Sequence, residues 1–235
     1  HAPPNEEDIA FSTAAKITAM GRVSPRRVIN ATGVILHTNL GRAPLSADAA
    51  RTVCEVSQGY TDLELDVSEG KRGLRGGHVE KLLCQLTGAE AALVVNNNAS
   101  SLLLAFSCLL RDKDVLVSRG EIVEIGGGFR IPDVLTQSGA TLIEVGTTNR
   151  TYVGDYDAAV TENTGAILKV HSSNFRIAGF AHSPGIEELV SMGGRYGIPV
   201  FHDIGSGCLL NMEDVGLEHE PTPQENISSG VGLVF

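Results

Sequence analysis

The chain has 235 residues, of which 42% are apolar and 20% charged, and a formal net charge of −10. That is a globular composition with material for one sizeable core. The acidic balance argues against a surface that grips nucleic acid throughout by counterion release, although Arg72, Arg75 and Arg130 leave room for a local basic patch.

In chain order, a short helical pattern covers residues 8–20 within a polar start, and an extended segment over 28–33 closes on Gly33. Residues 46–57 read as a helix with Ser46 as N-cap, because a serine hydroxyl satisfies a free first-turn N–H. Residues 66–78, rich in glycine and arginine, read as a loop. From Val79 the pattern alternates: helix 79–87, strand 91–96, helix 100–110, strand 114–118, helix 132–138, strand 141–145, helix 156–162. It continues with strand 166–170, helix 185–196, strand 199–202 and a last strand over 232–235. Short apolar runs alternating with helices mark crossover units on a mainly parallel sheet. The expected fold class is therefore α/β, a three-layer α/β/α sandwich with ligands at the carboxyl ends of the strands. The chain starts at His1 and ends within a strand, so it reads as a piece of a longer polypeptide. Residues 1–27 are expected to be a linker or remnant, and 28–235 a large domain.

Cys54, Cys84, Cys108 and Cys208 are widely spaced and form no CxxC pair. This argues against a zinc site or disulfide framework and points to the reducing cytoplasm. No stretch approaches 18 uninterrupted apolar residues, so no membrane-spanning helix is expected.

Four constellations lie where chemistry is expected. Asn97-Asn98-Ala99-Ser100 follows the predicted strand 91–96 and opens a helix, where backbone N–H groups aided by amide and hydroxyl side chains form an anion site. Asp203 sits just past a buried strand, before Ile204-Gly205-Ser206-Gly207. A carboxylate there can hold a positively charged ring nitrogen, the partner that pyridoxal 5'-phosphate needs to act as an electron sink. Arg72 and Arg75, in a glycine-rich loop, can clamp phosphate-like oxyanions with forked donors. His171 and Asn174, at another strand end, are within reach of a cofactor, whereas Lys169 falls inside the strand and His202 reads as a packed neighbour. The order of phosphate cradle, polar strand-end loop and ring-nitrogen aspartate suggests a fold-type-I pyridoxal-phosphate enzyme.

Longer motifs narrow this. The segment Ile29-Asn30-Ala31-Thr32-Gly33-Val34-Ile35-Leu36-His37-Thr38-Asn39-Leu40-Gly41-Arg42 resembles the entry segment of the bacterial selenocysteine synthases, the L-seryl-tRNA(Sec) selenium transferases. Residues 118–132 and 144–151 resemble the same family, as do the loops around Asn97, His171 and Asp203. The likeness covers roughly residues 24–235.

The resemblance implies a transferase of the aspartate-aminotransferase fold. Such an enzyme turns L-seryl-tRNA(Sec) into L-selenocysteinyl-tRNA(Sec) with selenophosphate, through a dehydroalanyl-tRNA intermediate. It further implies a cytoplasmic homodecamer built from dimers, with no membrane, DNA or metal partner. Asn97, Asn98, Ala99, Ser100, Asn174, Asp203 and Ser206 would face the cofactor. Asp203, His171, Arg72 and Arg75 would serve the reaction, with the arginines on selenophosphate. The family's cofactor-attaching lysine would fall just past Phe235, so this chain by itself is expected to be inactive. Two alternatives remain at this point: a related ammonia lyase acting on a phosphorylated amino sugar acid, and a non-catalytic paralogue for assembly or tRNA binding.

Overall fold

A computed structural model describes residues 5–22, 24–126, 128–205 and 207–235. It divides into two compact units, residues 1–61 and 62–235. Among the described residues, no helix is long and apolar enough to cross a membrane.

The first unit holds helices α1 (Glu6–Met20) and α2 (Ala47–Ser57). Asn5 caps α1 by accepting the Asp8 N–H at 2.8 Å, and Ser46 caps α2 by accepting the Ala49 N–H at 3.1 Å. These caps set the two starts because each supplies an acceptor for an otherwise orphan donor. Between the helices, Asn30 accepts from Thr32 and donates to the Val34 carbonyl at 2.8 Å, which folds this stretch into a turn.

The second unit opens with a short antiparallel ribbon, β1 (Leu65–Asp66) and β2 (Lys71–Arg72), inside the stretch expected to be loop. Asp66 accepts from Ser68 and Glu69 and so closes the turn between the two strands. There follow α3 (Gly77–Thr87), α4 (Asn98–Leu109), β3 (Asp114–Ser118), a second ribbon of β4 (Glu124–Gly126) and β5 (Phe129–Arg130), α5 (Ile131–Ser138) and β6 (Thr141–Val145). The chain continues through α6 (Val153–Ala159), β7 (Thr164–Val170), α7 (Ile186–Tyr196), β8 (Val200–Asp203), α8 (Pro223–Ser228) and β9 (Leu233–Val234).

Five strands form one parallel sheet in the order β6-β3-β7-β8-β9. Side chains alternate across a strand, so each strand feeds two cores. Val115, Val117, Ala166, Leu168 and Phe201 pack with Leu102 and Phe106 of α4 and Leu135 of α5. Leu116, Ile167 and Val200 pack on the other face with Tyr156 of α6 and Leu189 and Met192 of α7. This is the three-layer sandwich read from the sequence. Phe235 closes the β9 edge, edge-on to Phe106 and Phe201 at 5.9 and 6.3 Å.

Beyond the two ribbons and α8, which the sequence reading did not contain, two of its elements take another form. Residues 91–96 join no strand ladder, and Leu93 and Val94 are 72% and 58% exposed. An apolar run makes a strand only where a neighbour offers backbone partners, and none of the described ladders reaches it. Helix α6 starts at Val153 rather than 156, because Asp155 turns back to accept the Tyr152 N–H at 2.8 Å.

Candidate functional site

Because the five strands run parallel, their carboxyl ends lie on one side, and the segments after β7 and β8 meet there. His171 extends the β7–β8 pairing by donating its backbone N–H to the Asp203 carbonyl at 2.8 Å. Gly205 has φ +70°, and a Cβ on it would come within 2.8 Å of the Ser173 hydroxyl. Only glycine lets these two loops approach so closely. Between them is a small cleft lined by Val170, His171, Asn174, Phe175, Asp203 and Gly205, among others.

Asp203 is 1% exposed. Its Oδ1 accepts the Gly205 N–H at 2.9 Å and the Asn98 side-chain amide at 3.0 Å. Burial pushes the Asp203 carboxyl above the ordinary carboxylate range, and the Gly205 N–H, the Asn98 amide and nearby His171 pull it back in part. Among the described residues no hydrogen bond reaches Oδ2. Asp203 is thus a desolvated carboxyl with one oxygen held and, among the described residues, no cation bonded to it.

The start of α4 reaches Asp203 through the Asn98 side chain. Asn97 is its N-cap and accepts the Ser100 N–H at 2.8 Å. That leaves the backbone N–H groups of Asn98 and Ala99, the first residues of the helix, without an intrahelical partner, the usual setting for an anion. The Asn98 Oδ1 is buried and has no hydrogen-bond partner among the described residues. The contact between Asn98 and Asp203 joins the predicted phosphate cradle to the predicted ring-nitrogen aspartate across 105 positions of sequence.

The other expected residues are placed as follows. His171 and Asn174 line the cleft. Ser206 lies outside the described residues. Arg72 and Arg75 are not among the residues lining the cleft and converge on one carboxylate, Glu64, at 2.8 and 2.7 Å. Those bonds hold the Glu64 carboxyl below its usual range. Arg130 pairs with Glu124 at 3.3 Å.

Three partners were not among the site residues expected from the sequence, although Glu121 lies in the family-like segment 118–132. Glu64 precedes the arginine loop and looks like any surface acid. Glu220 reaches the His171 ring at 2.8 Å from 49 positions away. Glu121 is 6% exposed and accepts from the Lys169 ammonium at 3.1 Å, the Ser183 hydroxyl at 3.1 Å and the Val170 N–H at 2.9 Å. Lys169 spends its remaining donors on the Ser183 hydroxyl and the Pro184 carbonyl, at 3.2 and 3.0 Å.

Comparison with known proteins agrees with this architecture. Among solved structures, the chain is similar to a D-glucosaminate-6-phosphate ammonia-lyase, with a TM-score of 0.63 and 17% identity over 84% of this chain and 50% of that one. It is also similar to a chain of a SepCysS–SepCysE N-terminal domain complex, with a TM-score of 0.53 and 13% identity over 80% of this chain and 48% of that one. At these identities the likeness is one of fold, so the first match gives the lyase alternative no support beyond shared architecture. In sequence, the chain is 56% identical to an L-seryl-tRNA(Sec) selenium transferase of Alkaliphilus oremlandii over 89% of this chain and 45% of the relative. It is 54% identical to one of Geobacter sulfurreducens over 97% of this chain and 51% of the relative. The chain thus spans about half the length of the curated relatives it matches. The family model described as L-seryl-tRNA selenium transferase matches residues 28–235, and the chain belongs to that family.

Proposed function

We propose that the full-length protein containing this chain is a pyridoxal-phosphate-dependent enzyme. It converts L-seryl-tRNA(Sec) to L-selenocysteinyl-tRNA(Sec) with selenophosphate. The observation that carries this reading is Asp203: a carboxyl removed from water at the mouth of a parallel sheet, with one oxygen that no donor reaches among the described residues. Such a group is costly to keep ionised unless a cation joins it. A protonated pyridine nitrogen supplies that cation.

The residues present fit the cofactor. Asp203 would face the ring nitrogen, the N–H groups of Asn98 and Ala99 with Ser100 would take the phosphate, and Asn97, Asn174 and Ser206 would complete the wall. When bound, pyridoxal phosphate supplies an electron sink for the amino-acid carbon next to its amine. The protein's own residues do the rest. Asn98 and Gly205 hold Asp203 in one orientation. His171 faces the cleft and can hold or pass a proton at Nδ1. Lys169 has all three donors engaged and serves the framework. Arg72 and Arg75 are already gathered by Glu64, and a selenophosphate oxyanion could exchange with that carboxylate on the same forked donors. With a net charge of −10 on these 235 residues, this part of the protein would meet tRNA through local patches, and copies of the full-length protein would assemble in the cytoplasm as a dimer-based decamer.

The test is selenium transfer by the full-length protein supplied with pyridoxal phosphate, seryl-tRNA(Sec) and selenophosphate. Formation of selenocysteinyl-tRNA, lowered at least about a hundredfold in Asp203→Ala, is expected. No transfer by the unaltered protein, or an undiminished rate in the variant, would contradict the reading.

A further inference from the structure

His171 has a carboxylate behind it. Its Nε2 lies 2.8 Å from Glu220 Oε2, and the pair is part-buried, with 25% and 44% of the two side chains exposed. Glu220 belongs to the stretch between Gly216 and α8. One position before it but one, Glu218 pairs with Arg176. The two acids thus hold the segment after β7 that carries His171 and Asn174 along the cleft. Glu220 itself is not among the residues lining the cleft.

This contact has a chemical consequence. An ionised carboxylate only accepts hydrogen bonds, so the hydrogen in this short contact must sit on Nε2. That leaves Nδ1 as the nitrogen free to gain or lose a proton, and no partner occupies it among the described residues. The backbone of His171 is fixed at the same time by its N–H bond to the Asp203 carbonyl. A part-exposed pair of this kind adds little to stability, on the order of 0–1 kcal/mol. Its effect falls on which ring nitrogen carries the proton and where the ring points.

We propose that Glu220 is a positioning residue for the reaction at this cleft: it enforces the Nε2–H form of His171 and aims Nδ1 at the bound substrate. In the proton step, Nδ1 takes one proton from water and the ring becomes an imidazolium, whose charge the Glu220 carboxylate balances; the ring then hands that proton to the departing β-hydroxyl of the seryl group, which leaves as water. The same proton leaves from Nδ1 when the ring returns to neutral. This role rests on the function proposed above.

The test has two arms. In the 235-residue chain, long-range ¹H–¹⁵N correlation reads the His171 tautomer, with the signal assigned by its loss in His171→Asn. The neutral ring should carry its proton on Nε2. Glu220→Ala should lose that preference, and Glu220→Gln, whose amide oxygen still accepts, should keep it. In the full-length protein, Glu220→Ala should lower kcat for selenium transfer about tenfold or more with KM unchanged, and Glu220→Gln should restore most of it. An Nδ1–H ring in the unaltered chain, a tautomer indifferent to Glu220→Ala, or a changed tautomer with unchanged kcat would each overturn the proposal. The tautomer arm needs neither cofactor nor tRNA. If the unaltered full-length protein transfers no selenium, the proposed function fails, and the ring nitrogen still decides whether Glu220 fixes His171.

Discussion

His202 and Asp203 are neighbours on β8, and burial acts on them with opposite sign. Asp203 is pushed up because the charged carboxylate loses water. His202 is pushed down to about 4 because the charged imidazolium does, against the pull of its 2.5 Å bond to Asn226. The histidine therefore stays neutral when folded and takes a proton more readily when unfolded. Its contribution to stability is whole above its unfolded value of 6.5 and is lost as pH falls from there towards about 4. The loss is at most about 3.5 kcal/mol. Asp203 acts in the other direction, its contribution fading as pH rises, and it cancels when two proteins sharing it are compared at each pH. Urea unfolding of His202→Gln against the unaltered chain should show a flatter decline between pH 6.5 and 4, and parallel curves would contradict this. At this scale Asp203 was legible because an acid at the end of a buried strand is unusual. Its bond to Asn98 was not, because nothing local links positions 105 apart.

At the scale of elements, Lys169 and Glu121 join the end of β3, the end of β7 and the loop at Ser183 and Pro184 in one satisfied network. The side chains are 16% and 7% exposed, so removing one partner strands the other charge away from water. Lys169→Ala should cost about 3–5 kcal/mol, and Lys169→Met with Glu121→Leu clearly less, since no charge is left alone. Equal losses in the two variants, read from urea midpoints, would contradict the pairing. Strands β3, β7 and β8 were legible as short apolar runs because both of their faces are buried, and the edge strand β6 kept a shorter apolar run, Leu142-Ile143 and Val145. Residues 91–96 carry the same pattern and join no ladder, because pairing depends on a neighbour that the local sequence does not encode. The arginine loop showed its charges but hid its β1–β2 ribbon, whose turn is closed by the side chain of Asp66 rather than by a glycine pair.

At the scale of the molecule, a parallel sheet gathers His171 and Asp203 at one end, and α4 brings Asn98 to them. The alternation of helices and apolar runs was enough to predict that gathering, since parallel strands need crossovers and crossovers put every carboxyl end on one side. Which polar groups would touch there was set by tertiary packing. The account depends on Asp203 protonating the cofactor ring, and the most direct measurement is the ring-nitrogen chemical shift of ¹⁵N-labelled pyridoxal phosphate bound to the full-length protein. The ring nitrogen should be protonated in the unaltered protein and bare in Asp203→Asn; the same shift in both would contradict the assignment.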